Sequence, residues 1–170
     1  GRGALAELPR CLAAVGSGEA MVGAIVDPFA VDLLRDRVQG LPLHLLPFGG
    51  ECTQAEIDRL AGALRGAGCG AILGAGGGKA LDAAKAVAHA LDLPVIIAPT
   101  IASSDAPTSR IAAVYDDRHR IVSVPRLRRN PDAVIVDTAV ILSAPPRFLA
   151  AGIGDAITKK YEVAESHRAG

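Results

Sequence analysis

Residues 70–98, GAILGAGGGKALDAAKAVAHALDLPVIIA, contain a strand, a helix and a second strand in succession. Residues 70–73 are a short apolar run, residues 79–91 carry apolar side chains at helical spacing, and residues 94–98 are continuously apolar again. Two buried strands joined by a helix run parallel, with a right-handed crossover. This stretch therefore predicts one βαβ unit of an α/β fold.

The same alternation extends toward the N-terminus. Two further strands are predicted at residues 19–26 and 41–47, and two further helices at residues 29–38 and 54–67. Thr53 precedes the second helix as its N-cap, and Glu56 follows three residues later in the pattern of a capping box. We expect a doubly wound, mostly parallel, Rossmann-like sheet with helices on both faces.

The pattern changes in the second half of the chain. Short extended runs at residues 110–115 and 120–124, separated by residues 116–119, predict a β-hairpin inserted in the fold. Residues 133–136 (AVIV) return to a buried strand, and residues 147–151 and 153–166, after two prolines, have helical patterns. We divide the chain into one domain, 1–145, and the first helices of a truncated helical domain, 146–170.

Composition excludes several classes of protein. The chain has 170 residues, 50% hydrophobic and 3% aromatic, with 18 basic and 18 acidic residues and no net charge. Such a balance does not build the positive field that nucleic acid requires. The short basic run at residues 126–129 is interpreted as a solvated loop, with an anion contact as the alternative.

The cysteines and the hydropathy pattern bear on location. Cys11, Cys52 and Cys69 are an odd number without CxxC spacing, which favours free thiols in a reducing compartment. No signal peptide opens the sequence, and no apolar run approaches the ~20 residues that a membrane helix needs. We expect a cytoplasmic protein that does not bind membranes.

The glycine-rich stretch from Gly74 to Lys79 carries the strongest chemical signal. Glycines let backbone approach a ligand closely, and the N-terminus of the following helix favours a phosphate group. A GxGxxG fingerprint would need glycine at Lys79, and a P-loop would need glycine at Leu73 and serine or threonine at Ala80. The stretch predicts a phosphate loop of neither kind, with a tight turn containing packing glycines as the alternative.

Asp27 stands at the end of the first predicted strand. Ligands of open α/β sheets bind beyond the carboxyl ends of the strands. An acidic side chain there can accept hydrogen bonds from an adenosine ribose and would repel a 2′-phosphate. The alternative is a helix cap ahead of Phe29.

Four segments together resemble the glycerol dehydrogenase branch of the iron-containing (group III) alcohol dehydrogenases. They are GGGKALDAAK at residues 76–85, APTIASSDAPTS at 98–109, NP at 130–131 with VIVDT at 134–138, and AAGIGDA at 150–156. The resemblance covers essentially the whole chain in order. It implies an NAD-dependent oxidation of a polyol, with glycerol as the leading substrate.

The resemblance also implies roles for individual residues. The pyrophosphate of the dinucleotide is expected at Gly76, Gly77, Gly78, Lys79 and Asp82. The adenine and ribose are expected near Thr100 and Ser103, and the nicotinamide near the hairpin residues Ser109, Ile111 and Tyr115. For Tyr115, a residue that merely closes the hairpin edge is the alternative.

Two carboxylates are implied at the substrate end. Asp105 matches a carboxylate near the substrate hydroxyls, with an Asx-turn as the alternative. Asp155 matches a metal-binding carboxylate, with an acid in the first turn of a helix as the alternative.

The implied metal is divalent, Zn²⁺ or else Fe²⁺, and it would lower the pKa of the substrate hydroxyl. One carboxylate cannot hold it tightly, since catalytic Zn²⁺ takes about three protein ligands. None of the four histidines, His44, His89, His119 and His167, matches the family's ligand positions. The metal is therefore expected only if the missing histidine ligands are supplied.

Other functions stay open at this point. The chain could be a non-catalytic nucleotide-binding or oligomerisation module, or part of a related hydroxy-acid or diol dehydrogenase. The apolar face expected after residue 146 would need cover from the helical domain or from another copy in a homo-oligomer.

Overall fold

The fold is a five-stranded sheet with helices on both faces, seen in a computed structural model that describes residues 1–38 and 40–169. The strands of this sheet are β1 (Met21–Val26), β2 (Leu43–Pro47), β3 (Cys69–Gly76), β4 (Val95–Pro99) and β7 (Ala133–Val134). Their order is β2-β1-β3-β4-β7 and every pairing is parallel. The predicted doubly wound parallel sheet is therefore confirmed.

Helices account for most of the remaining chain. They are α1 (Leu8–Ala14), α2 (Val31–Arg37), α3 (Gln54–Arg65), α4 (Gly78–Leu91), α5 (Thr138–Ser143) and α6 (Pro146–Ala169), with 3₁₀ turns at Ala4–Glu7 and Pro28–Ala30. The predicted helix at 29–38 is thus a 3₁₀ turn followed by a shorter α-helix. The other predicted strands and helices of the first half agree within a few residues, except at β3.

The core lies in two layers, one on each face of the sheet. Alternate strand residues point to opposite faces. Ile72 of β3 and Ile97 of β4 pack under α3 and α4, whereas Leu73 and Ile96 pack toward α1, α2 and α5. Strands buried on both faces explain the continuous apolar runs of the sequence.

Strand β3 is longer than predicted. It was expected to end at Leu73 but continues to Gly76, so Gly77 alone separates it from α4. A Cβ atom at Gly74 would come within 2.6 Å of the Cβ of Ala84. Gly74 is therefore a packing glycine that lets α4 lie close on the sheet, as the alternative interpretation of the glycine stretch proposed.

The capping box at the start of α3 is only half formed. The side chain of Thr53 accepts a hydrogen bond from the Glu56 amide at 3.1 Å, as predicted. The Glu56 carboxylate does not return to Thr53; it accepts from the Gly49 amide at 2.8 Å and pairs with Arg59 at 2.7 Å. The reciprocal half of the prediction is wrong because these donors occupy the carboxylate.

The predicted hairpin is present but short. It comprises β5 (Val114–Tyr115) and β6 (Ile121–Ser123), which pair antiparallel, and an isolated bridge between Ile111 and Arg126 extends it. The Asp116 carboxylate closes the turn by accepting from the amides of Arg118 and Arg120.

The last helix is continuous where two helical segments were predicted. A Cβ atom at Gly152 of α6 would overlap the carbonyl oxygen of Ala102. Glycine at this position therefore lets α6 rest directly on the backbone that follows β4. In the described part of the chain no helix combines the length and apolarity needed to cross a membrane. Gly170, the last residue of the predicted second domain, lies outside the described residues.

Candidate functional site

The carboxyl ends of three neighbouring strands meet at one edge of the sheet. Asp27 follows β1, Gly77 follows β3 and Thr100 follows β4. The Asp27 amide donates to Ala75 O at 2.9 Å, and the Thr100 amide donates to Gly76 O at 3.0 Å, so the three chain ends are tied together. They line a cleft of about 500 Å³, in the place where open α/β sheets bind ligands.

Asp27 is bound to the glycine stretch. Its Oδ2 accepts a hydrogen bond from the Gly77 amide at 2.7 Å, across 50 residues of sequence. It makes no side-chain cap to the turn at Pro28–Ala30. The helix-cap alternative is therefore wrong, because the carboxylate turns toward the cleft rather than toward its own helical turn.

Gly76 must be glycine for two reasons. Its φ angle is +156°, a conformation that other residues rarely adopt. A Cβ atom there would also overlap the Asp27 carboxylate and come within 2.9 Å of Ala80 Cβ. The close approach of Asp27 to the backbone depends on this missing side chain.

Gly77 is the N-cap of α4 and brings no side chain to cap the helix. The first amides of a helix have no intrahelical acceptors and carry a partial positive charge. Such an uncapped N-terminus beside a cleft can bind a phosphate group. Gly78 and Lys79 form the first turn of α4, so four of the five predicted pyrophosphate residues, Gly76 to Lys79, lie together at this point.

The side chain of Lys79 is engaged by a residue that sequence reasoning missed. Its Nζ lies 2.7 Å from Oε2 of Glu51 and 4.8 Å from the ring centroid of Tyr115. Glu51 also contacts Nδ1 of His119 in the hairpin turn. Partial burial alone would raise the pKa of Glu51, but Lys79 and His119 outweigh it and hold that pKa below its usual value.

Asp82 faces the hairpin side of α4. Its Oδ1 lies 2.8 Å from Nζ of Lys85, and its Oδ2 accepts from the Ala113 amide at 3.0 Å. Burial raises the pKa of this carboxyl, against the opposing effects of Lys85 and the Ala113 amide. Both oxygens thus have internal partners, and direct contact of Asp82 with a nucleotide stays a prediction.

Lys85 is the second residue that sequence reasoning missed. Its ammonium group donates to the carbonyl oxygens of Ala106, Ser109 and Ile111. A lysine in mid-helix usually predicts a surface residue, yet this side chain is 1% exposed. It holds the segment that carries the predicted residues Ser109 and Ile111.

The two predicted residues after β4 lie in different surroundings. Thr100 lines the cleft beside Asp27 and Gly77. Ser103 lies under α6: a Cβ atom added at Gly152 would be 3.4 Å from the Ser103 Cα. Tyr115, in β5, donates its amide to Cys52 O at 2.9 Å, which joins the hairpin to the chain that follows β2.

Asp105 and Asp155 are both close to one lysine of α6. Lys159 Nζ is 3.5 Å from Asp105 Oδ2, and its pKa is raised by Asp105 first, then by Glu162 and Asp155. The Asp105 carboxylate makes no Asx-turn contact in the described residues: the bonds of Thr108 and Ser109 go to its carbonyl oxygen. Asp155 lies well beyond the first turn of α6, which contains no acidic residue, so both alternatives fail.

A metal does not fit the donors that are present. Among residues 1–38 and 40–169, no three His, Cys, Asp or Glu side chains group closely enough to hold an ion. Asp155 is one oxygen donor, and Asp105, the other carboxylate predicted at the substrate end, is paired with Lys159. We therefore derive no reaction step through a metal from these residues.

Comparison with known proteins identifies the family. The family model described as iron-containing alcohol dehydrogenase matches residues 1–138. This chain belongs to the iron-containing alcohol dehydrogenase family. A glycerol dehydrogenase of Escherichia coli O6:H1 is 53% identical over 131 residues, which are 77% of this chain and 36% of that protein. A glycerol dehydrogenase of Pseudomonas putida is 46% identical over 142 residues, 82% of this chain and 39% of that protein.

Two solved structures share the fold. A probable glycerol dehydrogenase of Sinorhizobium meliloti superposes with a TM-score of 0.84 at 42% identity, over 91% of this chain and 42% of that one. Sulfoacetaldehyde reductase of Bifidobacterium kashiwanohense, solved with NAD⁺, gives a TM-score of 0.78 at 21% identity, over 91% of this chain and 48% of that one. The chain thus spans less than half the length of these relatives.

Proposed function

We propose that this chain is the NAD-binding part of a metal-dependent polyol dehydrogenase, with glycerol as the leading substrate. The observation that carries the proposal is the cleft at the carboxyl ends of β1, β3 and β4. Asp27, Gly76 and the uncapped start of α4 converge there. The names of the relatives at 53% and 46% identity supply the substrate.

The residues of the cleft fit the parts of a dinucleotide. The amides at the start of α4 would bind the pyrophosphate, and the missing side chain of Gly77 leaves room for it. The Asp27 carboxylate would accept hydrogen bonds from the adenosine ribose through the oxygen that Gly77 does not use. A 2′-phosphate at the same place would be repelled, so we propose a preference for NAD over NADP.

The other end of the dinucleotide would lie along the hairpin. Ser109, Ile111 and Tyr115 would flank the nicotinamide, which supplies the acceptor for the hydride. Asp105 would accept a hydrogen bond from a substrate hydroxyl and so orient the carbon that loses the hydride. Its partner Lys159 would then have to give up this exposed contact.

Asp155 would contribute one carboxylate to the metal. We propose that residues 146–170 begin a helical domain and that histidine ligands from outside this chain complete the metal site. Leu149, Ile153 and Ile157 of α6 support this proposal, because they recur every four residues and are 47%, 55% and 57% exposed. Zn²⁺ is our choice of metal, with Fe²⁺ as the alternative.

We further propose a cytoplasmic protein. Cys11, Cys52 and Cys69 are free thiols, as a reducing compartment favours. Association as a homo-oligomer or with the helical domain would cover the exposed face of α6.

A calorimetric titration with NADH tests the nucleotide site. We expect saturable binding by the 170-residue chain and a loss of about 100-fold in affinity for Gly77→Val. The new side chain would come within 3.1 Å of Ile101 and fill the space beside the helix start. Gly66→Val is the matched control, since a Cβ there meets nothing within 4 Å. Unchanged affinity in Gly77→Val would count heavily against the assignment.

A non-catalytic nucleotide-binding module is the second candidate. The exposed apolar residues of α6 favour it, because they offer a surface for self-association. It predicts a stable homo-oligomer that does not oxidise glycerol or other polyols even when Zn²⁺ is added. Turnover of a polyol by the 170-residue chain would exclude it.

A further inference from the structure

The ammonium group of Lys85 is enclosed by oxygen atoms. It lies 2.6 Å from Ile111 O, 2.9 Å from Ala106 O and 3.1 Å from Ser109 O. Oδ1 of Asp82, one turn earlier on α4, is 2.8 Å away. A buried charge is retained only when it is paired and hydrogen-bonded, and this ammonium meets both conditions.

The carbonyl groups that Lys85 binds belong to a segment without regular secondary structure. Residues 105–113 connect the loop after β4 to the hairpin, and they form no helix or strand. Bonds inside this segment are local, such as those from Thr108 and Ser109 to Asp105 O. Its shape is therefore set mainly by what it binds elsewhere in the molecule.

The second member of the pair fixes the end of the same segment. Oδ2 of Asp82 accepts from the Ala113 amide at 3.0 Å, and the neighbouring Ala112 amide donates to Pro125 O at 3.3 Å. Lys85 thus holds the segment near its start and middle, and Asp82 holds it where the hairpin begins. Both side chains come from α4, whose first turn lies at the cleft.

We propose that Asp82 and Lys85 form a buried clamp that positions residues 106–113 relative to the N-terminus of α4. This inference rests on the proposed nucleotide-binding function. In that setting α4 serves both parts of the dinucleotide: its first turn binds the pyrophosphate, and the clamp sets where Ser109, Ile111 and the hairpin meet the nicotinamide. Lys85 and Asp82 are positioning residues and need not touch the nucleotide themselves.

Two variants separate positioning from folding. Lys85→Met keeps the length of the side chain and removes the ammonium, but it leaves the Asp82 carboxylate buried without its partner. Lys85→Met combined with Asp82→Asn removes both charges. The introduced asparagine can still accept from the Ala113 amide, so the double variant avoids an uncompensated buried charge. His89→Met is the matched control, because His89 is one turn further along α4 and exposed.

Two measurements are made on the 170-residue chain. The first is amide hydrogen exchange of residues 106–113. The second compares the affinity for NADH with that for ADP, which lacks the nicotinamide. A change that merely destabilises the fold weakens the binding of both ligands equally. A displaced segment weakens the binding of NADH more than that of ADP.

The clamp predicts at least about tenfold faster exchange at the Ala112 and Ala113 amides in the double variant. It also predicts that the double variant loses about tenfold more affinity for NADH than for ADP, and that His89→Met keeps wild-type values. Unchanged exchange in residues 106–113, or an equal loss of affinity for NADH and ADP, would overturn it. If the wild-type chain binds neither nucleotide, the proposed function fails separately, and the exchange measurement still decides whether the clamp exists.

Discussion

The two ends of the candidate site are built in different ways. At the nucleotide end, backbone atoms of three strands and one helix converge, and Asp27 is fixed on Gly77 by a 2.7 Å hydrogen bond. At the substrate end, Asp105 and Asp155 stand near an exposed lysine of α6, and Asp105 is joined to it at 3.5 Å. The first end owes its shape to the buried core of the sheet, whereas the second depends on side chains that water reaches.

This difference indicates what the chain can determine by itself. Backbone geometry held between packed strands changes little when neighbouring parts are added or removed. An exposed ion pair contributes little to stability and is rearranged easily. We therefore expect the nucleotide end to keep its geometry in the described domain, and the substrate end to take its final form only when α6 is covered.

The largest effect is expected from Gly76→Ala, which changes the backbone of the nucleotide end itself. The added Cβ overlaps the Asp27 carboxylate, and a φ angle of +156° is unfavourable for alanine. We expect the NADH affinity, measured by calorimetry, to fall by more than about 100-fold. We expect the stability, measured by urea unfolding, to fall by about 1–3 kcal/mol.

Gly62→Ala is the control for Gly76→Ala. Gly62 lies inside α3, and a Cβ there meets nothing within 4 Å. The alanine should stabilise the helix by about 0.5–1 kcal/mol and leave binding unchanged. Wild-type affinity in Gly76→Ala would mean that the close approach of Asp27 has no part in nucleotide binding.

A smaller effect is expected from Asp27→Asn. Asparagine can still accept from the Gly77 amide, so the cleft keeps its shape while the negative charge is lost. We expect the ratio of NADH to NADPH affinity to fall by about tenfold, because the repulsion of a 2′-phosphate disappears. An unchanged ratio would mean that the adenosine ribose does not lie at Asp27.

A still smaller change is expected from Glu51→Gln, which removes the ion pair between Glu51 and Lys79 at the edge of the nucleotide end. Without the carboxylate, Lys79 no longer has a competing anion, so the affinity for ADP should rise about threefold at low salt. Loss of this partly exposed pair should lower the stability by about 0–1 kcal/mol, as measured by urea unfolding.

The pH dependence of this pair has a definite sign. Because the pKa of folded Glu51 is lowered, its contribution is present above the usual glutamate pKa and disappears as the pH falls through the folded value. Stability of Glu51→Gln should thus converge with the wild type in acid. Weaker ADP binding in this variant would show instead that Glu51 orients Lys79 for the phosphate.

The smallest effect is expected at the substrate end. Ile153→Ala on α6 should change stability by less than about 0.5 kcal/mol, because Ile153 is 55% exposed. Ile97→Ala in β4 is the matched comparison, since the same atoms are removed from a fully buried site, and it should cost about 2–5 kcal/mol. Equal losses of stability in Ile153→Ala and Ile97→Ala, measured by urea unfolding, would mean that the apolar face of α6 is already buried in the 170-residue chain.

The sequence predicted the sheet and the place of the cleft because both depend on local patterns. Apolar runs alternating with helical periods identify a doubly wound sheet, and Asp27 and the glycine stretch stand at strand ends by position alone. The family resemblance supplied Asp105 and Asp155. Neither could be assigned a chemical role from local pattern, since a single acid has many uses.

The remaining features depend on contacts between residues distant in sequence. Glu51 and Lys79 are 28 residues apart, and Lys85 reaches oxygen atoms 21 to 26 residues away. No periodicity marks such pairs, and a lysine inside a helix predicts exposure. Local pattern does not show which glycines packing requires, and only the contacts with Ala84 and Ala102 explain why Gly74 and Gly152 lack a side chain.

The nucleotide site is tested most directly by amide chemical-shift mapping of the ¹⁵N-labelled chain during a titration with NADH. We predict saturable shifts concentrated at Gly76–Lys79, at Thr100 and in the hairpin around Tyr115. The amide shifts of Ala88, His89, Asp92, Leu93 and residues 127–129, which line a separate cleft of about 200 Å³ at the other end of α4, should stay unchanged. Shifts confined to that second cleft, or no saturable shifts, would contradict a nucleotide site at the carboxyl ends of β1, β3 and β4.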